Sequence, residues 1–179
     1  MNLQIQNGWI LSLISLGISY APLFFSKKGA TRLTNFKWMN KKGRYLSFAV
    51  LILYALMLII PVFHSITNNF TQLTIGGIIS IAGVAGVLIS YHNYFTTEQD
   101  TLITKGLYRI SRNPIYVFTL VAAIGASILC TAYEMAPVII IYLFVQHPII
   151  KEEERFCTET YGQDYLEYKK KTARYFLFF

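Results

Sequence analysis

Charge is what this sequence has least of. Only 14% of its 179 residues are Asp, Glu, Lys or Arg, against about a quarter in an ordinary soluble domain. That deficit argues against a water-soluble globule. Cysteine is nearly absent too. Cys130 lies inside an apolar run and Cys157 in a charged segment, so neither a disulfide framework nor a zinc site is expected. The three histidines, His64, His92 and His147, have no partner at H-x-x-x-H or C-x-x-C spacing. Each reads as a hydrogen-bonded interfacial or interhelical side chain, and no metal is expected. No G-x-S-x-G and no Gly-rich strand-to-helix turn occurs, which sets aside soluble nucleotide-binding folds. With 13 Phe, 13 Tyr and 2 Trp, disorder is excluded as well.

What the sequence does have is hydrocarbon: 54% of residues are hydrophobic and the mean hydropathy is +0.44. Five apolar stretches stand out, at residues 8–25, 45–63, 73–95, 115–132 and 136–150. The first four match the roughly 17 to 25 residues that a bilayer-spanning helix needs. The fifth is shorter and is expected to form a tight hairpin with the fourth through Tyr133-Glu134-Met135. The runs are continuously apolar rather than alternating, which disfavours a β-barrel. The expected fold is therefore all-α: a polytopic integral membrane protein of five transmembrane helices.

The basic residues give an independent test. All 16 Lys and Arg fall between the first and second runs, between the third and fourth, or after the fifth, on one side of a five-span arrangement. By the positive-inside rule that side is the cytoplasm, the N-terminus is outside and the C-terminus inside. The first run lacks a basic segment before it and is followed by Lys27-Lys28, so it reads as a retained span and not a cleaved leader. The basic loop between runs one and two carries no acid. It reads as a topology determinant resting on anionic headgroups, with no nucleic-acid role. Residues 1–72 form two N-terminal spans with this loop; residues 73–179 hold everything with chemical character, in a single membrane domain.

That chemistry gathers at the cytoplasmic face. The loop after the third run contains Gly106 and Asn113-Pro114, turn and helix-start signals. The segment after the fifth run opens Lys151-Glu152-Glu153-Glu154. The fourth and fifth runs make one excursion out and back, so the two segments emerge side by side. Taken alone, the acidic cluster reads as a solvated helix turn balanced by Lys151 and Arg155. Beyond it Cys157, Tyr161, Tyr165 and Tyr168 recur at helical spacing, a stripe suited to an interfacial helix. It turns the carboxylates toward protein.

These residues resemble a known family. Thr101-Leu-Ile-Thr-Lys-Gly-Leu-Tyr108, Arg112-Asn-Pro-Ile-Tyr116, and Glu153-Glu154 followed by Tyr161-Gly162, Tyr165 and Tyr168 are similar, in order and spacing, to motifs of the isoprenylcysteine carboxyl methyltransferase family and its phospholipid methyltransferase relatives. The resemblance covers about residues 93–172. It implies S-adenosylmethionine as methyl donor, held at the cytoplasmic face, and a lipophilic or small acceptor reached from the lipid bilayer. The donor-contacting positions it implies are Asn93, Asp100, Thr101, Leu102, Ile103, Tyr108, Asn113, Pro114, Ile115, Tyr116 and Glu153. An arginine that binds the acceptor carboxylate in family members acting on prenylcysteine is here Ile149, and a usual V-P is Thr172-Ala173. His147, Glu154 and Arg174 are the candidates to contact an acceptor instead. The acceptor stays open between a prenylcysteine carboxylate, a phospholipid amine and a thiol. A non-catalytic scaffold or lipid-binding protein of the same fold is the alternative from a different class.

Overall fold

A computed structural model describes residues 7–25, 31, 36, 39–98 and 100–176. The described residues include α1 (Trp9–Phe25), α2 (Lys41–Ile59), α3 (Phe70–Phe95), α4 (Pro114–Leu129) and α5 (Met135–Lys171), with short 3-10 turns at Ile60–Phe63 and Gly106–Arg109. The described residues contain no strand. Lys41–Phe63, Phe70–Phe95 and Met135–Lys171 are long and apolar enough to cross a membrane, and Trp9–Tyr20 and Pro114–Leu129 are shorter apolar helices. The surface is that of an integral membrane protein. Ile52, Ile59, Ile78, Ile81 and Phe144 point outward, whereas glycine and serine are buried. In lipid, where large apolar side chains gain nothing by hiding, small residues line the helix seams.

Local signals set the helix ends. Asn40 caps α2 by accepting from Gly43 N (2.8 Å) and Asn69 caps α3 by accepting from Gln72 N (3.0 Å), each satisfying a backbone donor the helix leaves free. Pro114 occupies the first turn of α4, where its missing N–H is not needed. The most extensive helix pair is α3 with α4, and a seam of small residues draws it together. A Cβ on Gly83 would collide with the Ala122 backbone, and one on Gly125 with that of Ser80. One on Gly76 would stand 2.9 Å from Leu129 N.

The five apolar runs thus correspond to five helices, with two differences. The fifth continues as one 37-residue helix through Pro148 and the charged segment, broken only at Gly162. Its apolar part ends at Ile150, and Lys151 opens a charged half that stands outside the apolar span. That continuation explains how so short a run sustains a helix. Second, α5 packs mainly along α2 and only lightly on α4. Met57 of α2 joins Cys130, Ala132, Met135, Ile139 and Tyr142 in a core at the far end of the bundle. Every described Lys and Arg lies at the opposite end, where α2 and α4 begin, α3 finishes and α5 projects.

Candidate functional site

At this charged end, residues 96–113 connect α3 to α4. Gly106 turns the chain with φ +57°, and any Cβ there would collide with the Asn93 side chain, whose Oδ1 accepts from Leu107 N (3.0 Å). Only glycine fits both demands. Asp100 also has positive φ, +69°, a conformation that aspartate tolerates better than most residues. The chain then runs through buried Ile103 and Tyr108 to buried Ser111, Arg112 and Asn113.

The facing wall is the charged half of α5. Gly162, at φ +54° and ψ −123°, breaks the helix where a Cβ would touch nothing; the backbone alone demands glycine. The break lets Tyr165 and Tyr168 turn inward, and the Tyr168 hydroxyl donates to the Tyr108 carbonyl (2.6 Å). Loop and α5 are then fastened around one carboxylate. Glu154 accepts from Arg112 Nε (2.9 Å) and from Arg174 Nε (3.0 Å) and Nη2 (2.8 Å). Arg112 Nη1 also donates to the carbonyls of Lys169 and Thr172, and Arg112 N to Ala173 O (2.8 Å). Ser111 Oγ donates to Arg174 O (3.0 Å). Burial by itself would raise Glu154, but the two guanidiniums hold it below the usual carboxylate range.

Between these walls lies a cavity of about 390 Å³. The loop lines it with Asp100, Leu102, Ile103, Tyr108, Arg112 and Asn113, and α4 with Ile115 and Tyr116. From α5 come Glu153, Glu154, Cys157, Tyr161, Tyr165 and Tyr168. Tyr116 Oη donates to Glu153 Oε2 (3.3 Å). Burial pushes Glu153 up to about 7; the tyrosine hydrogen bond pulls it down and the neighbouring Glu154 charge pushes it further up. A second cavity, of about 210 Å³, lies among the helices and shares Tyr91, Ile115 and Tyr116 with the first.

The structure therefore gathers Asp100, Leu102, Ile103, Tyr108, Asn113, Ile115, Tyr116, Glu153 and Glu154 around one space. It does not bring the other five to the wall. Asn93 stands behind the Gly106 turn, Thr101 is exposed and donates to Glu98 O, and Pro114 is buried at the start of α4. His147 pairs with the Tyr175 hydroxyl (2.9 Å), and Arg174 spends its guanidinium on Glu154. Sequence reasoning misses Tyr91 and Tyr94, which line the cavity from the last turns of α3. Their signal was available: two tyrosines flanking His92 and Asn93 at the end of an apolar helix. Arg112 was visible in its motif but not as the partner of Glu154. Among the described residues, no group of three or more His, Cys, Asp or Glu is placed to hold a metal ion.

Comparison with known proteins gives an independent measure. The sequence model of the phospholipid methyltransferase family matches residues 49–164. Protein-S-isoprenylcysteine O-methyltransferase A of Arabidopsis thaliana is 28% identical over 176 residues, covering 92% of this chain and 88% of that protein. A cobalt-zinc-cadmium resistance protein of Cupriavidus metallidurans is 26% identical over 80 residues, 44% of this chain but only 37% of that protein's length. No solved structure matches.

Proposed function

The chain belongs to the phospholipid methyltransferase family, a family of membrane methyltransferases, and from that premise we propose that it moves a methyl group from S-adenosylmethionine to a lipophilic or small acceptor. The observation that carries this reading is the cavity formed where the loop from residue 100 to 113 and the first turn of α4 meet Glu153 and the tyrosine stripe of α5. The lining suits a zwitterionic sulfonium donor. Asp100 and Glu153 offer carboxylates for its cationic groups, Tyr108 and Tyr116 offer rings for its adenine, and the backbone of residues 100–103 offers hydrogen bonds. Asn93, Thr101, Pro114 and His147 would then act from behind by holding the wall in shape, and Arg174 through Glu154.

S-adenosylmethionine, when bound, supplies an electrophilic methyl carbon, so no metal is needed for displacement. The contribution of this chain is positioning. Its aromatic walls exclude water and fix the reacting partners, which is worth about 7 to 11 kcal/mol in favourable cases. Arg112 is the one basic side chain among the described residues lining the cavity, and it is bonded to Glu154. Ile149, at the family's carboxylate-binding position, is buried. Both features favour an amine or thiol acceptor over the carboxylate of a prenylcysteine.

We further read five spans with the N-terminus outside and this cavity facing the cytoplasm, because the basic residues cluster at the cavity end. Residues 73–179 would form the methyltransferase core, and residues 1–72 the two N-terminal spans. The test is calorimetric titration of purified protein with S-adenosylhomocysteine, alongside Glu153→Gln and Tyr116→Ala. Losing a buried charge-assisted contact costs ~2 to 5 kcal/mol, so affinity should fall more than tenfold in Glu153→Gln. Unchanged affinity in both variants removes the site assignment. No binding by the wild type leaves the scaffold reading in its place.

A further inference from the structure

The second cavity is built differently from the rest of the interior. It lies between α1, α2, α3, α4 and α5 at membrane depth, and the far end is lined by Leu11, Met57, Leu58 and Pro61. Along α1, however, its wall is a stripe of hydroxyls: Ser12, Ser15 and Ser19, at the i, i+3, i+7 spacing of one helix face. The outer face of the same helix is Leu13, Ile14, Leu16 and Tyr20, exposed as a lipid-facing surface would be. The serine stripe thus faces inward, against the expectation that a cavity for plain hydrocarbon is lined by hydrocarbon.

Serines in apolar helices ordinarily satisfy their hydroxyls on the carbonyl four residues back. Ser19 does so, donating to Ser15 O (2.8 Å), and it also pairs with the Tyr54 hydroxyl. Thr119 on α4 does the same with Ile115 O (2.8 Å). Ser12 does not: its Oγ is buried and has no hydrogen-bond partner among the described residues. A buried hydroxyl without a partner is costly away from water, and Ser12 is among the residues that line the cavity. The cavity meets the polar one at Tyr91, Ile115 and Tyr116, beside Glu153. From Ser19 to Ser12 the helix rises about 10 Å, toward the end where Gly8 N donates to His64 O.

We propose that this cavity holds the buried part of the methyl acceptor and that Ser12 selects an acceptor carrying a hydrogen-bonding oxygen there over one with unbroken hydrocarbon. The proposal deepens the methyltransferase reading and rests on it for the word acceptor. The pocket and its preference stand on the α1 geometry alone. Ser12 is a specificity-determining residue in this account and takes no part in the transfer.

The test is binding to the purified full chain in detergent micelles, read by the shift in thermal unfolding midpoint against ligand concentration, with two probes of equal heavy-atom count: 8-mercaptooctan-1-ol and nonane-1-thiol. Both enter micelles, so the quantity read is the ratio of their apparent affinities, compared between variants. Wild type should favour the hydroxylated probe relative to Ser12→Ala by about five- to tenfold, the worth of one neutral hydrogen bond in a dry site. Ser12→Thr, which keeps a hydroxyl, should retain the preference. Ser19→Ala should retain it too, because the Ser19 hydroxyl is already bonded within the protein. Equal ratios in wild type and Ser12→Ala overturn the proposal, as does a Ser19→Ala variant that loses the preference as completely as Ser12→Ala. S-adenosylhomocysteine affinity, measured on the same samples, should be unchanged in all three variants. Its absence in wild type would sink the methyltransferase reading while leaving the probe result to be judged separately.

Discussion

Replacing Glu154 by glutamine should cost about 3 kcal/mol of stability and detach residues 172–176 from the loop. The Glu154 side chain is 6% exposed, Arg112 2% and Arg174 16%, so two guanidiniums share one buried carboxylate, with the more exposed Lys169 ammonium 4.0 Å away. Breaking a buried pair by removing one partner typically costs 3–5 kcal/mol, because the survivor is left uncompensated. Two structural facts set the value at the low end. Arg112 keeps its bonds to the carbonyls of Lys169 and Thr172, and Arg174 is close enough to solvent to swing out. The glutamine amide can still accept one hydrogen bond. The measurement is equilibrium unfolding in mixed micelles with increasing denaturing detergent, with Glu154→Gln, Arg174→Gln and the double variant as a cycle. The double variant should be less destabilised than the sum of the singles, because removing Arg174 relieves the charge that Glu154→Gln strands. Additivity within about 0.5 kcal/mol, or a Glu154→Gln loss below about 1 kcal/mol, would refute the view that this carboxylate holds the two segments together.

Legibility in the sequence divides along a physical line. The helices were legible because a continuous apolar run of bilayer length has few other uses. The length of α5 was not. Pro148 and Lys151 look like a helix end, yet the structure carries the helix through both and breaks it at Gly162. A proline removes one backbone donor, and a helix held by its neighbours can bend at it without ending. The seam of Gly76, Ser80 and Gly83 against Ala122 and Gly125 was printed in the sequence but merged into hydropathy, which counts small residues by polarity and not by size.

The site was legible as two blocks and not as a set of contacts. Glu154 shows why. Its nearest cations along the chain, Lys151 and Arg155, suggest a solvated helix face, whereas its partners lie 42 and 20 residues away. Arg155 instead lies 3.8 Å from Glu152. Such pairings follow from how the loop folds back on α5, and nothing local encodes them. Tyr91 and Tyr94 were missed for the opposite reason: they sit inside a run that hydropathy assigns wholly to lipid, though the last turns of α3 face the cavity.

Three further outcomes follow from the same geometry. Gly83→Ala should destabilise the α3–α4 pair by ~1 to 3 kcal/mol, since its Cβ meets backbone. Gly77→Ala, with nothing within 4 Å, should be neutral in the same unfolding assay. Accessibility labelling of single cysteines at residues 105 and 153 should place both on the cytoplasmic side; opposite sides would dismantle the proposed site. The last concerns pH. Glu153 is raised to about 7, chiefly by burial, so in the free protein it is ionised above that pH and neutral below it. If its carboxylate holds a cationic group of the donor, affinity should be flat above about pH 8 and fall by up to about tenfold per unit below 7. Tyr116→Phe deletes the hydrogen bond that lowers Glu153, so the falling limb should move to higher pH. A midpoint unmoved by Tyr116→Phe, or donor affinity that strengthens as pH drops, would mean that Glu153 is not the group the cation meets.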